Sequence, residues 1–195
     1  IINTVQSNKI TDLIVGIHHK ANIVDTFLGG MITSLINGTS NQNLIIYGPK
    51  KPINSGKRLV VAVPQMAELE VGFDVWFDRI KNIASQLSIP VVFYANKNTT
   101  IALKKQCEIH SSLNVSFREL ASWEDFLIIS KHIKHGDTLI VITARKATLS
   151  YNNLFEKIPY YLNKYFTDNN FLLIYPRQTA PDGTDNDIYN PLKIS

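Results

Sequence analysis

Fifteen residues from Gly16 to Gly30, GIHHKANIVDTFLGG, carry the residue types and spacing with which a backbone turn takes hold of an anion. Gly16 closes an apolar run, Gly29 and Gly30 open a stretch of helical period, and His18, His19 and Lys20 stand between them. Glycine lets the backbone come close to a ligand, and a helix start offers unpaired N–H groups at the positive end of its dipole. The imidazoles and the ammonium group add donors or charge. At the carboxyl end of a strand in a parallel sheet, where ligands of such sheets sit, the arrangement suits the phosphate of a nucleotide. The candidate binding residues are therefore Gly16, His18, His19, Lys20, Gly29 and Gly30.

Other chemistries find less to work with. His18 and His19 are neighbours at a strand end and point to opposite sides, and no spacing of Cys, His, Asp or Glu completes a metal set around them. The remaining histidines, His110, His132 and His135, are scattered at expected helix ends and surfaces. The one cysteine, Cys107, lies in KKQCEIH on a predicted helix, where the adjacent Glu108 and His110 do not face it. No serine sits in a G-x-S-x-G elbow, and no Walker A loop is present. The sequence thus predicts no catalytic residue, no metal and no enzyme.

The elements that must position the glycine junction follow from apolar pattern. Hydrophobic residues make up 45% of the 195 residues and charged ones 18%, the balance of a soluble globular protein. Apolar runs such as FLLIY fall far short of the roughly 20 residues of a bilayer crossing. The formal charge of +4 is spread in ones and twos, which argues for a solvated face rather than a nucleic-acid partner. A single cysteine suits a reducing cytosol. Short continuous Val/Ile/Leu runs, of the kind buried on both faces of a parallel α/β sheet, predict strands near 12–17, 43–47, 58–63, 90–95, 114–119, 138–143 and 171–175. Helices are expected near 1–9, 29–37, 67–87, 98–109, 122–134 and 150–166. In the longest, Leu69, Phe73, Trp76, Phe77, Ile80, Ile83 and Leu87 form one apolar stripe, and Glu68 and Glu70 suit its positive start. Trp76 and Trp123 are expected in the core. Pro159 should kink or split the last helix. GPKKPINSGK, 48–57, reads as a linker, and 177–195 as a surface tail.

The chain also repeats itself. LIVGIHHKANI at 13–23 and LIVITARKATL at 139–149 match in register, and each precedes a helical stretch and a similar strand, LIIY at 44–47 and LLIY at 172–175. Residues 1–47 are then the C-terminal half of a first unit, and 58–176 a complete second one.

The junction resembles the nucleotide-binding loop of the universal stress proteins: glycine, two residues, glycine, nine residues, then glycine with serine or threonine. Gly16, His19 and Gly29 reproduce that spacing, with His19 in place of the second glycine and Gly30 in place of the hydroxyl residue. The resemblance implies a three-layer α/β/α fold with a parallel sheet, of the adenine nucleotide alpha hydrolase-like kind, and makes ATP or cyclic-di-AMP the candidate ligand. The second copy has lost the motif. Ile142 or Thr143 replaces its first glycine, Arg145 or Lys146 its second, Phe155, Glu156 and Lys157 its third, and Pro64 stands where binding members place an adenine-reading aspartate. Over residues 1–178, HHKANIVDTFLGG, KRLVVAVPQMAELEVGF, TARKATLSYNNLFEKIP and LLIYPRQ are further similar to the tandem stress-protein-like region that follows the membrane part of bacterial monovalent cation:proton (sodium/hydrogen) antiporters. That resemblance implies a non-catalytic regulatory domain at the cytoplasmic face of the inner membrane, with the antiporter's transmembrane domain as partner. It also implies association through the last strands, LIIY and LLIY, within the chain as a pseudo-dimer or between chains as a homodimer. The alternatives are an ATP or cyclic-di-AMP sensor, and a free-standing stress protein acting by protein association.

Overall fold

The computed structural model describes residues 1–7, 10–17, 30–109 and 113–179. Of the candidate binding residues, Gly16 and Gly30 fall within these, whereas His18, His19, Lys20 and Gly29 lie outside the described residues. The elements in chain order are α1 (Ile2–Ser7), β1 (Asp12–Gly16), α2 (Gly30–Gly38), β2 (Asn43–Gly48), β3 (Arg58–Ala62), α3 (Phe73–Leu87), β4 (Val91–Ala95), α4 (Lys97–Ile109), β5 (Val115–Glu119), β6 (Asp137–Ile142), α5 (Ile158–Tyr165) and β7 (Asn170–Tyr175).

The strands form one sheet in the order β1-β2-β7-β6-β3-β4-β5. β3, β4, β6 and β7 are apolar at nearly every position because both of their faces are covered. On one face Leu35 of α2, Trp123, Phe126 and Leu162 of α5 pack against Leu44, Val60 and Leu139. On the other, Trp76, Phe77 and Ile80 of α3 and Leu103 of α4 pack against Ile45, Val61 and Ile140. The three-layer α/β/α class expected from the sequence is borne out. One refinement concerns the sheet: every neighbouring pair is parallel except β2 and β7, which run antiparallel.

That exception is the joint between the repeated halves, and it corrects the alignment read from the sequence. LIIY and LLIY match by their tyrosines, yet Leu13 pairs with Leu44 while its repeat partner Leu139 pairs with Phe171. Leu44 therefore corresponds to Phe171, one place earlier than the tyrosine alignment puts it. Side chains alternate along a strand, so a shift of one residue exchanges faces. Accordingly Tyr175 lies in the α2/α5 cluster and Tyr47 against the α3 cluster. With the shift, Ile46 corresponds to Leu173, and these two face each other across the joint, on its approximate twofold axis.

Three helix expectations change for local reasons. The stretch from 67 begins as a 3₁₀ turn, Ala67–Leu69, and α3 starts only at Phe73. Gly72 precedes it where a Cβ would come within 2.7 Å of the Arg177 carbonyl oxygen and Pro176. Glu68 and Glu70 thus stand outside the helix and bind elsewhere: Glu68 accepts from Thr99 Oγ1 at 2.7 Å, and Glu70 from Ser150. Residues Trp123–Lys131 form a 3₁₀ helix rather than an α-helix. Its buried residues are Trp123, Phe126 and Ile129, and a spacing of three keeps them in line only at three residues per turn. Pro159 lies in the first turn of α5, behind a 3₁₀ turn at Asn153–Lys157 capped by Asn152. There its missing N–H has no helical partner to lose, so it starts α5, and the stretch expected as one helix over 150–166 is split in two just before it.

Candidate functional site

At the first-unit junction, Gly16 ends β1 opposite Tyr47, and Ile17 N–H extends the ladder to the Tyr47 carbonyl at 2.8 Å. Gly30 opens α2. A Cβ added at either glycine meets no described atom within 4 Å. Among the described residues, none packs against the position of a side chain at either glycine.

The second unit shows what the same frame does without its glycines. Thr143 directs both its N–H and its Oγ1 to the Ile174 carbonyl, each at 2.8 Å. Arg145, at the repeat position of His19, is only 6% exposed and crosses to the first unit. Its guanidinium donates to the carbonyls of Ile36, of Thr39 (2.8 Å) and of Gln42 (3.2 Å) at the C-terminal end of α2, and Nε reaches the Pro176 carbonyl at 3.4 Å. A cation here meets the negative end of the helix dipole and the carbonyls left without helical donors. Burial away from any carboxylate lowers the Arg145 pKa to about 10, and buried Tyr175, beside it, is pushed up to about 12. Lys146 takes no part in this. It pairs in solvent with Glu156 at 2.9 Å, the two side chains being 79% and 61% exposed. Glu156, one of the residues in place of the third glycine, is thus paired with a cation of its own loop.

Where the strand order reverses, between β6 and β3, ligands of open α/β sheets bind. The crevice there is lined by Pro64, Gln65, Met66, Trp123, Leu149, Ser150, Tyr151 and Asn152, without a charged side chain. Its volume is about 100 Å³, against roughly 300–1,000 Å³ for a drug-sized ligand. Trp123 fills its floor, with Phe155 edge-on at 5.0 Å and Phe126 stacked at 5.4 Å. The Trp123 Nε1–H is buried without a partner among the described residues. Ser150, on the crevice wall, gives its N–H and its hydroxyl to Glu70 at 2.8 and 2.9 Å. An internal carboxylate therefore occupies donors that an anion would need. Met66 and Ala147 on the flanking loops hold positive φ, 63° and 69°, a backbone region that favours glycine.

Two asparagines that motif reasoning passed over fasten the units together. Asn43 begins β2 and Asn170 begins β7; they correspond under the repeat, and they are 0% and 6% exposed. Asn43 Oδ1 accepts from Arg177 N at 3.0 Å, just beyond β7. Asn170 Oδ1 accepts from Lys50 N and Lys51 N at 2.6 and 2.9 Å, just beyond β2. Each side chain thus binds the segment leaving the other unit's last strand. Asn43 Nδ2 also donates to Asp12, which takes a bidentate pair from Arg79 of α3 at 3.0 and 2.7 Å. The signal was present in the sequence: aligning NLIIYG on NFLLIY by asparagine rather than tyrosine yields the observed register.

Among the described residues no helix is long and apolar enough to cross a membrane, and no group of three His, Cys, Asp or Glu side chains gathers as a metal site.

No family model matches this sequence, and no curated protein matches it. Solved structures do. The chain is similar to the cytoplasmic domain of a prokaryotic cation chloride cotransporter, with a TM-score of 0.58, 10% identity, 92% of this chain and 70% of that chain covered. It is also similar to a structure from Pseudomonas aeruginosa UCBPP-PA14 assigned to the universal stress proteins, and to a functionally unknown protein from P. aeruginosa PAO1. Each gives a TM-score of 0.54, 12% identity, and covers 90% of this chain and 66% of its own. At these identities the likeness is one of fold.

Proposed function

We propose that this chain is a non-catalytic regulatory domain of a membrane cation transporter, of the cation:proton antiporter kind whose cytosolic tandem region its sequence resembles. The observation that carries the reading is the joint. A loop position that serves ligand binding in nucleotide-binding stress proteins is given over in the second unit to Arg145, which holds the first unit's helix, while Glu70 occupies the Ser150 donors. The similarity of fold to the cytoplasmic domain of a cation chloride cotransporter supports a transporter as partner. Regulation then requires that the domain bind two conformations of the transporter with different affinity. The reading frame into which Ile1 opens tests this directly: several apolar runs of about 20 residues support it, and their absence overturns it.

A second reading has its own observation. Among the described residues no atom comes within 4 Å of a Cβ built at Gly16 or Gly30, and a phosphate seated there would make the first unit a sensor of ATP or cyclic-di-AMP through Gly16, His18, His19, Lys20, Gly29 and Gly30. Calorimetric titration with each nucleotide separates the two readings. Saturable heat that disappears in Gly29→Glu favours the sensor, and no heat at millimolar ligand favours the purely structural joint.

A further inference from the structure

Basic residues come in ones and twos along the sequence, but the antiparallel joint gathers five of them. β2 runs against β7, so it delivers its C-terminal Gly48 beside Phe171, at the end of the sheet where β3, β6 and β7 begin. The loop 49–57 therefore starts and finishes at that one end, and it carries Lys50, Lys51 and Lys57. Residues 131–136, which lead into β6, add Lys131 and Lys134. The two stretches are tied to each other and to the sheet. Lys57 N–H donates to the Gly136 carbonyl at 2.8 Å, Asn170 holds the backbone of Lys50 and Lys51, Asn169 Nδ2 donates to the Lys134 carbonyl at 3.0 Å, and Lys51 Nζ meets His135 Nε2.

Lys51, Lys57, Lys131 and Lys134 are exposed and Lys50 is half-buried, and among the described residues none of the five pairs with a carboxylate. Of the neighbouring carboxylates, Asp137 is buried and committed to Arg58, while Asp168 shares a shallow cleft with Lys51. Set against Asp168 alone, the five lysines carry a charge equal to the +4 of the whole chain. Crowding unpaired cations costs self-repulsion that an anionic partner relieves. The residue types say which anion. Arg58, at this same end, has its guanidinium occupied by Asp137 and by the His132 carbonyl at 3.3 Å, so its planar fork is not free to read a base edge. Lysine is a hydrated point charge on a flexible stem, which suits headgroups that move. Exposed tyrosines stand at this end too. α5 finishes just before β7 begins, and its Lys164 Nζ lies 5.5 and 5.2 Å from the ring centroids of Tyr160 and Tyr165, which are 49% and 40% exposed. Phenol rings with one apolar body and one polar tip settle at the headgroup level of a bilayer.

We infer that this end of the sheet, with the five lysines at its centre and the two tyrosines at its margin, is a docking surface for an anionic lipid bilayer. Such a surface would meet a bilayer whether or not the chain is joined to a transporter.

Co-sedimentation of the whole chain with vesicles, of phosphatidylcholine alone or with about one third phosphatidylglycerol, tests this. The anionic vesicles should bind it saturably at low salt and the neutral ones should not. Binding should fall steeply as the Debye length shortens from about 30 Å at 0.01 M salt to about 10 Å at 0.1 M. A lysine near an anionic surface is worth about fivefold in affinity, so Lys51→Gln with Lys134→Gln should weaken binding about 25-fold. The fold should survive, because Asn170 and Asn169 bond the backbone of those residues and not their side chains. Lys97→Gln with Lys146→Gln removes the same charge just beyond the C-terminal ends of β4 and β6, at the opposite end of the sheet, and should weaken binding less than about threefold. Equal losses in the two pairs would overturn the proposal, since net charge alone would then be at work. So would an absence of binding to anionic vesicles at low salt, or a random-sequence DNA duplex that binds more tightly per phosphate than the vesicles do.

Discussion

Replacing Arg145 by methionine keeps the length and apolar volume of the side chain and removes the charge that holds α2. Hydrogen bonds to a charged group contribute about 1.5–3 kcal/mol each, and Arg145 donates to the carbonyls of Ile36 and Thr39, with longer bonds to Gln42 and Pro176. Against these stands the cost of burying the cation. The fall of its pKa from 12.5 to about 10 corresponds to about 3 kcal/mol against the charged form. Methionine escapes that cost but leaves neutral carbonyls without donors, at about 1–3 kcal/mol for each one left unsatisfied. Arg145→Met should therefore lower unfolding free energy by about 3 kcal/mol in urea titration, with the α2 amides exchanging fastest. Arg145→Lys, whose ammonium cannot span the carbonyls as a planar fork does, should lose roughly half as much. A loss under about 1 kcal/mol for the methionine variant would refute the view that this cation holds the two units together.

Further outcomes follow from the same joint. Gly48 faces Phe171, whose ring would lie 2.1 Å from an added Cβ, so Gly48→Val should cost about 1–3 kcal/mol and Phe171→Ala in the same chain should recover part of it; urea titration of the double-mutant cycle measures this. Tyr175 is held neutral by burial with its pKa at about 12, so its contribution is complete below pH 10 and declines as pH rises from 10 to 12; ultraviolet titration should show one late phenolate that Tyr175→Phe removes. Burial alone would raise the Asp12 pKa, but hydrogen bonds from Arg79, Asn43 and Thr11 bring it below 3.8. That stabilisation is present above the unfolded value and is lost as pH falls through the folded one. Asp12→Asn should flatten acid unfolding below about pH 4, by no more than about 1 kcal/mol given the half-exposed Arg79.

The interior strands β2, β3, β4, β6 and β7 were legible because continuous apolar runs are buried on both faces inside an α/β sheet. The antiparallel joint was not, since direction is fixed by which edges meet and not by composition. The repeat was visible, but tyrosine is a poor marker of register. Its hydroxyl lets it lie on either face, whereas a buried asparagine must find its partners at one position. Residues 122–134 look helical under a period of 3.6, and only the spacing of Trp123, Phe126 and Ile129 betrays the tighter 3₁₀ winding. At the candidate site the glycine spacing pointed to Gly16 and Gly30, neither of which has a described atom within 4 Å of an added Cβ. The reach of Arg145 across to α2 had no sequence signal, because a lone arginine in a loop carries no mark of the carbonyls it will meet.

The reciprocal asparagine clamps set an order of events during synthesis. Asn43 leaves the ribosome well before Arg177, whose amide it binds, and Lys50 waits in the same way for Asn170. β2 likewise has no partner on its β7 side until β7 emerges. Contacts of such long sequence separation form slowly and keep a nascent edge exposed. β2 thus waits, on its β7 side, for more than a hundred residues to be translated, and the sheet closes at the antiparallel joint only after β7 emerges.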